Sequence, residues 1–162
     1  MAGYFRPLLT WLFCAVCCVV LSPLHEAYAV DLEIGEGGFC PGGTWDVSTG
    51  TCTTSGFTVG GGDSVFIPNE VILINAGILD NTGTLTNAGA LFNNGILDNT
   101  GTLDNTGTLD ITGALTNTGT LDNTGILDNT GTLINCGIFT DTGTLTGSSI
   151  LPCDADSDGR AD

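Results

Sequence analysis

An all-β chain wound as a parallel β-solenoid is the fold class this sequence predicts, and three observations predict it. From Asn75 to Thr146 one six-residue phrase is written twelve times, beginning NAGILD, NTGTLT and ending NCGIFT, DTGTLT. Glycine holds the third place of every unit and leucine the fifth, except where Phe139 stands. Six is also an even number. In an extended chain alternate side chains point to opposite faces, so an even repeat keeps asparagine, glycine and leucine (Asn75, Gly77, Leu79 and their copies) on one side throughout. A helical period would spread the leucines around a cylinder, and recurrent glycine with dense threonine and asparagine opposes a helix. A single strand of this kind cannot bury its own leucines, whereas a chain that coils over itself covers each turn with the next at about 4.8 Å.

The number of hexads in a coil is argued from the outward places. Place four reads Thr84, Ile96, Thr108, Thr120, Thr132, Thr144 in the even units and Ile78, Ala90, Thr102, Ala114, Ile126, Ile138 in the odd ones. That segregation favours a flattened, two-sided coil of twelve residues over a three-sided coil of eighteen. The support for eighteen is Cys136 and Cys153, seventeen apart and so nearly superposed on successive coils.

Taken in order, residues 1–29 have the form of an export leader. Arg6 supplies the positive start, Leu8 to Leu21 an apolar stretch, and Ala27-Tyr28-Ala29 a small-x-small cleavage site. The apolar run is too short for a comfortable transmembrane helix, so no membrane insertion is expected after cleavage. Export makes the chain secreted or cell-surface and removes Cys14, Cys17, Cys18 and the one histidine, His25. Four cysteines then remain, an even count that reads as two disulfides in an oxidising compartment. Within a cap of residues 30–62, Cys40 and Cys52 bracket a turn-rich loop holding Trp45; Cys136 and Cys153 would tie the last coils to the tail.

The wound body is expected over 63–152. Asp63, Val65, Ile67, Asn69, Val71 and Leu73 keep the inward parity before the repeats, and Gly147, Ser149 and Leu151 keep it after them. The cap should cover one open end of the leucine column, because a naked terminal coil offers unpaired backbone to other chains.

The run GGTWDVSTGTCT, the GDSVFIPNEVILIN segment and the NxGxLx repeats together resemble a loose group of secreted repeat proteins of environmental bacteria and archaea, with a Cys-bracketed GGTWD head and a GDxxxIP lead-in. The resemblance spans nearly all of the chain after the leader, and it implies a β-helix in a cell-surface or extracellular setting, without an established activity. The tail, 153–162, ends DADSDGRAD and is similar to the DxDxDG calcium loops of thrombospondin type 3 and dockerin-like modules. Asp154, Asp156, Asp158 and Asp162 are the candidate metal ligands; the twelfth-place acid of such a loop is missing, so any Ca²⁺ site there would be incomplete, weak or finished by a neighbouring element, and a solvated acidic tail is the other reading.

Charge narrows the function classes. Eighteen acidic residues face two basic ones, Arg6 and Arg160, for a formal net charge of −16. Nucleic acid and anionic lipid both need a basic patch and are not expected partners. Catalysis is not expected either. Asp98, Asp110 and Asp122 would stack under a twelve-residue coil, but once the leader is gone no histidine or lysine accompanies them. The same coil would align Thr82, Thr84, Thr106, Thr108, Thr118, Thr120, Thr130, Thr132, Thr142 and Thr144 as a T-x-T array, similar to those of insect ice-binding β-helices. The expected function is therefore a secreted structural or adhesive solenoid that contacts extracellular polymer, a cell surface or its own copies. Ice or crystal-surface binding is the alternative, and a Ca²⁺-dependent surface-layer or matrix role the second.

Overall fold

Each hexad folds as a four-residue strand, places four to one, followed by a two-residue corner at places two and three. A computed structural model describes residues 29–153. Nearly all of the expected leader and the tail residues Asp154, Asp156, Asp158 and Asp162 lie outside the described residues.

The described residues begin with β1 (Asp31–Glu33), a hairpin strand β2 (Gly43–Asp46) and the long β3 (Thr51–Val59). The next coil is β4 (Ser64–Ile67) and β5 (Ile72–Asn81), which runs through a corner without a break. Then come β6 (Thr84–Asn87), β7 (Ala90–Asn93) and β8 (Ile96–Asn99); β9 (Thr102–Asn105), β10 (Thr108–Ile111) and β11 (Ala114–Asn117); β12 (Thr120–Asn123), β13 (Ile126–Asn129) and β14 (Thr132–Asn135). The last coil is β15 (Ile138–Asp141), β16 (Thr144–Gly147) and β17 (Leu151–Pro152). The result is a parallel β-solenoid of about six turns.

The coil has three sides. Thr84 stands over Thr102 and Thr102 over Thr120, each step eighteen residues, and the other two sides follow the same rule, as in Ala90, Thr108, Ile126 and in Ile78, Ile96, Ala114. Face one is β1, β4, β6, β9, β12, β15. Face two carries β7, β10, β13 and β16, face three β8, β11, β14 and β17, and β3 and β5 contribute to both. The twelve-residue, two-sided coil favoured by the threonine segregation is therefore corrected to eighteen. Outward side chains never meet across the interior, so their alternation does not set the number of sides. The spacing of Cys136 and Cys153 was the better guide: the last pairing, Ile134 with Leu151 and Asn135 with Pro152, is seventeen residues long and superposes the two cysteines.

The interior is a column of leucines. Leu73, Leu79, Leu85, Leu91, Leu97, Leu103, Leu109, Leu115, Leu121, Leu127 and Leu133 are fully buried, each worth about 1.5–3 kcal/mol relative to exposure. At the corners the asparagines are buried as well and bond along the rod. Asn81 Nδ2 donates to Asn99 Oδ1 at 2.7 Å and to Thr102 O at 2.6 Å; Asn99 repeats both bonds to Asn117 and Thr120, at 2.6 and 2.7 Å. A second ladder runs Asn87, Asn105, Asn123, Asp141. Glycine is required at place three by the stacking of corners: a Cβ on Gly101 would lie 2.1 Å from Gly83 O, a carbonyl already held by Thr102 N at 2.8 Å.

The N-terminal end is covered. β1 adds to face one beside β4, and Ile34, fully buried, joins the leucine cluster with Phe39, Cys40 and Trp45 packed against it. The Trp45 ring lies so close to Gly35 that a Cβ there would meet it at 2.7 Å. Cys40 is bonded to Cys52, and at the other end Cys136 to Cys153, with Cα separations of 5.4 and 4.8 Å.

Candidate functional site

The three outward faces are the candidate site, and the eighteen-residue coil decides which outward residues are neighbours. On face one Thr84, Thr102 and Thr120 are in direct register, with Thr82, Thr100 and Thr118 at the corners that lead into those strands. Thr82, Thr84, Thr118 and Thr120 are thus brought together, and Thr100 and Thr102 join them. Thr106, Thr108, Thr142 and Thr144 belong to face two and its corners, Thr130 and Thr132 to face three. The ten threonines do not form one array, because hexads two apart lie on different sides of a triangle.

Corner and strand threonines also differ in what their hydroxyls do. Thr82 Oγ1 donates to Val59 O at 2.9 Å, and Thr100 and Thr118 donate to Asn81 O and Asn99 O at 3.4 Å. The corner hydroxyls thus help tie one coil to the one before it. The strand hydroxyls at Thr84, Thr102 and Thr120 sit on the flat of the face.

The aspartates at place six meet in pairs, one pair on each face: Asp80 with Asp98, Asp104 with Asp122, Asp110 with Asp128. The expected stack of Asp98, Asp110 and Asp122 is not formed; those three stand on faces three, two and one. Burial, and then the neighbouring Asp122 carboxylate, raise the Asp104 carboxyl above its ordinary value. In the cap the sense is reversed, since Ser48 donates to Asp46 from its hydroxyl at 2.7 Å and its backbone at 2.9 Å, holding that carboxyl low. No protein-family model, curated protein or solved structure matches this chain.

The apolar outward residues are likewise divided. Ile78 and Ile96 are stacked on face three, 53% and 42% exposed, with Ala114 next in the row. Ala90 and Ile126 lie on face two and Ile138 on face one, so the single Ile/Ala side of a twelve-residue coil becomes a short stripe and scattered residues. Two adjoining open depressions beside β1 share Asp31, Leu32 and Glu33; Phe39 borders one and Phe66 the other. The Asp pairs, and the places of Thr100 and Thr102 in the threonine row, escaped the sequence reading. Recurrence at eighteen, given independently by the Cys136 to Cys153 spacing, was the signal for them.

Proposed function

We propose that the chain is an exported structural or adhesive β-solenoid, presenting a regular threonine and aspartate surface to extracellular polymer, a cell surface or its own copies, without catalysis. The observation that carries this reading is regularity. From Thr84 to Gly147 every side is a four-residue strand and every corner two residues, so outward hydroxyls and carboxylates recur at strand spacing on three flat faces. Such a surface suits a partner that is itself periodic. The two disulfides accord with folding in an oxidising compartment, and a net charge of −16 favours neutral or cationic polymer over anionic. The Ile78 and Ile96 stripe adds an apolar strip for side contact. Co-sedimentation of the purified protein with insoluble polysaccharides and cell-envelope preparations tests the reading. Retention by at least one is expected, and a folded protein that none of them retains, and that does not associate with itself, would count against it.

Ice or crystal-surface binding keeps one observation in its favour, the three registered rungs of face one. Thermal hysteresis at high protein concentration tests it, and a flat response ends it. For the Ca²⁺-dependent matrix role, the acidic tail is the supporting feature. Sedimentation that is the same with Ca²⁺ and with chelator would remove that role.

A further inference from the structure

The two ends of the rod are finished differently. At the N-terminal end β1, the β2–β3 hairpin, Ile34 and Trp45 close the leucine column. At the C-terminal end the last coil has no such cover among the described residues. Leu121, Leu127 and Leu133 are fully buried; one coil later Phe139, half-buried, stands on Leu121 and Leu145, 40% exposed, on Leu127, while the seventeen-residue pairing brings half-buried Ile150 onto Leu133 and leaves Leu151, expected inward, in register with outward Ile134 and 48% exposed. β15, β16 and β17 pair with β12, β13 and β14 on one side, and their other edges are free among the described residues.

Charge changes at the same place. Asp122 and Asp128, outward on the coil before, are followed in register by Thr140 and Thr146, which leaves Asp141 as the one acid between Cys136 and Cys153. The last coil therefore carries no outward carboxylate pair of its own, and the four aspartates that follow Cys153 in sequence are the charge a second copy would have to meet. The stretch DADSDGRAD that follows Cys153 contains no apolar side chain larger than alanine.

We infer that the C-terminal coil is a self-association surface on which a second copy docks end to end, last coil against last coil. A triangle of three strand edges around an apolar centre is matched by the same triangle turned over. Among the described residues, the cap covers the other end of the rod. The contact is isologous: a two-fold axis across the rod brings β15, β16 and β17 of each copy against the partner's edges running antiparallel, and Phe139, Leu145 and Ile150 of both copies fill one column. Because each copy has one such end, assembly closes at the dimer and does not grow into a fibre. The inference makes specific the self-contact included in the reading above. A monomer that still bound polymer would overturn it and leave that reading standing.

Sedimentation velocity from about 5 to about 500 μM, a range suited to a contact at the small end of specific interfaces, tests it. Monomer passing to dimer, with nothing larger, is expected. Leu145→Asp should weaken the dimer at least about tenfold, since it places a charge in the joined column. Thr140→Asp, at an exposed position that leaves the fold intact, should weaken it less, by like-charge repulsion. Ile78→Thr on face three should leave it unchanged. Circular dichroism of each variant confirms the sheet. A monomer throughout the range, an open-ended polymer, or a dimer lost with Ile78→Thr and kept with Leu145→Asp would each overturn the inference. So would a whole chain that stays monomeric but dimerises when residues 154–162 are removed, which would make the tail the occupant of the end.

Discussion

Two corners of the triangle carry unbroken ladders and the third is interrupted. Along Asn81, Asn99, Asn117, Asn135 every carboxamide donates to the next Oδ1 at 2.6–2.7 Å. At the remaining corner the row reads Asn75, Asn93, Ile111, Asn129, with Ile111 fully buried where the others place an amide. There Asn93 keeps its bond to Ala114 O at 2.7 Å, but Asn129 Oδ1 is buried with no partner in mid-row, as Asn81 Oδ1 and Asn87 Oδ1 are only at the starts of the other two ladders. The backbone is indifferent to the exchange: Ile111 O accepts from Thr130 N at 2.9 Å and Gly131 N at 2.8 Å, as Asn81 O does from Thr100 and Gly101 at 2.9 and 3.0 Å. Corners are thus shaped by stacked peptides and glycine. The side-chain ladder adds to a geometry that already exists, and an apolar residue of adequate size can stand in for one rung.

Emptying a rung of an unbroken ladder should therefore hurt most. Asn99→Ala removes the acceptor of Asn81 Nδ2 and the donor to Asn117 Oδ1 and Thr120 O, leaving buried polar atoms unmet in a space too large for a methyl group. A loss of about 3 kcal/mol is expected in urea unfolding. A loss below about 1 kcal/mol would mean the ladders do little anywhere. Asn99→Ile copies the natural interruption at the same site. Apolar burial offsets part of the lost bonding, and the expected cost falls to about 1–2 kcal/mol. Equal losses for alanine and isoleucine would show that the interrupted corner has room the others lack.

How much of this was legible in the sequence follows from which side chains touch. Leu79, Asn75 and their copies announce an inward face through parity alone, and the structure buries them as far as Leu133, leaving Asn135 half-buried and Leu145 on the last coil partly exposed. Thr84 and Ile78 lie outside and touch nothing across the rod, so their alternation carried no information about three sides. Cys136 and Cys153 do touch, and their spacing did carry it. β3 was harder to see as part of a coil, because Thr51–Val59 lacks the glycine-third hexad; it nevertheless pairs along β5 through two sides, with a register shift between Thr54 and Gly56. The Asp pairs need the coil length first, so they became visible only with the register.

The converse of the first two substitutions is Ile111→Asn. It gives Asn93 and Asn129 the partners their counterparts have, and it gives up a fully buried isoleucine. The two effects are of similar size, so stability should stay within about 1 kcal/mol of the parent. The carboxamide protons of residues 93 and 111 should then exchange with solvent as slowly as those of Asn99. Fast exchange at 111 would mean the third corner cannot hold an amide in ladder geometry.

The smallest effect belongs to the outward counterpart of these ladders. Inside, amide on amide in register stabilises; outside, Asp104 on Asp122 opposes itself, and burial followed by that neighbour raises the Asp104 carboxyl above 3.8. The folded state then holds a proton that the unfolded chain has released. Stability is lost as pH rises from the ordinary aspartate range through the raised value, and the cost is fully present above it. Asp104→Asn should match the parent where both forms are neutral, at low pH, and become the more stable of the two as pH rises through that window. Since burial is the larger cause, added salt should shrink the difference only in part. Paired thermal melts across pH 3 to 7 (about the range in which aspartates titrate), at low and high salt, measure this; a constant difference at every pH would remove the opposed pair from the account of face one.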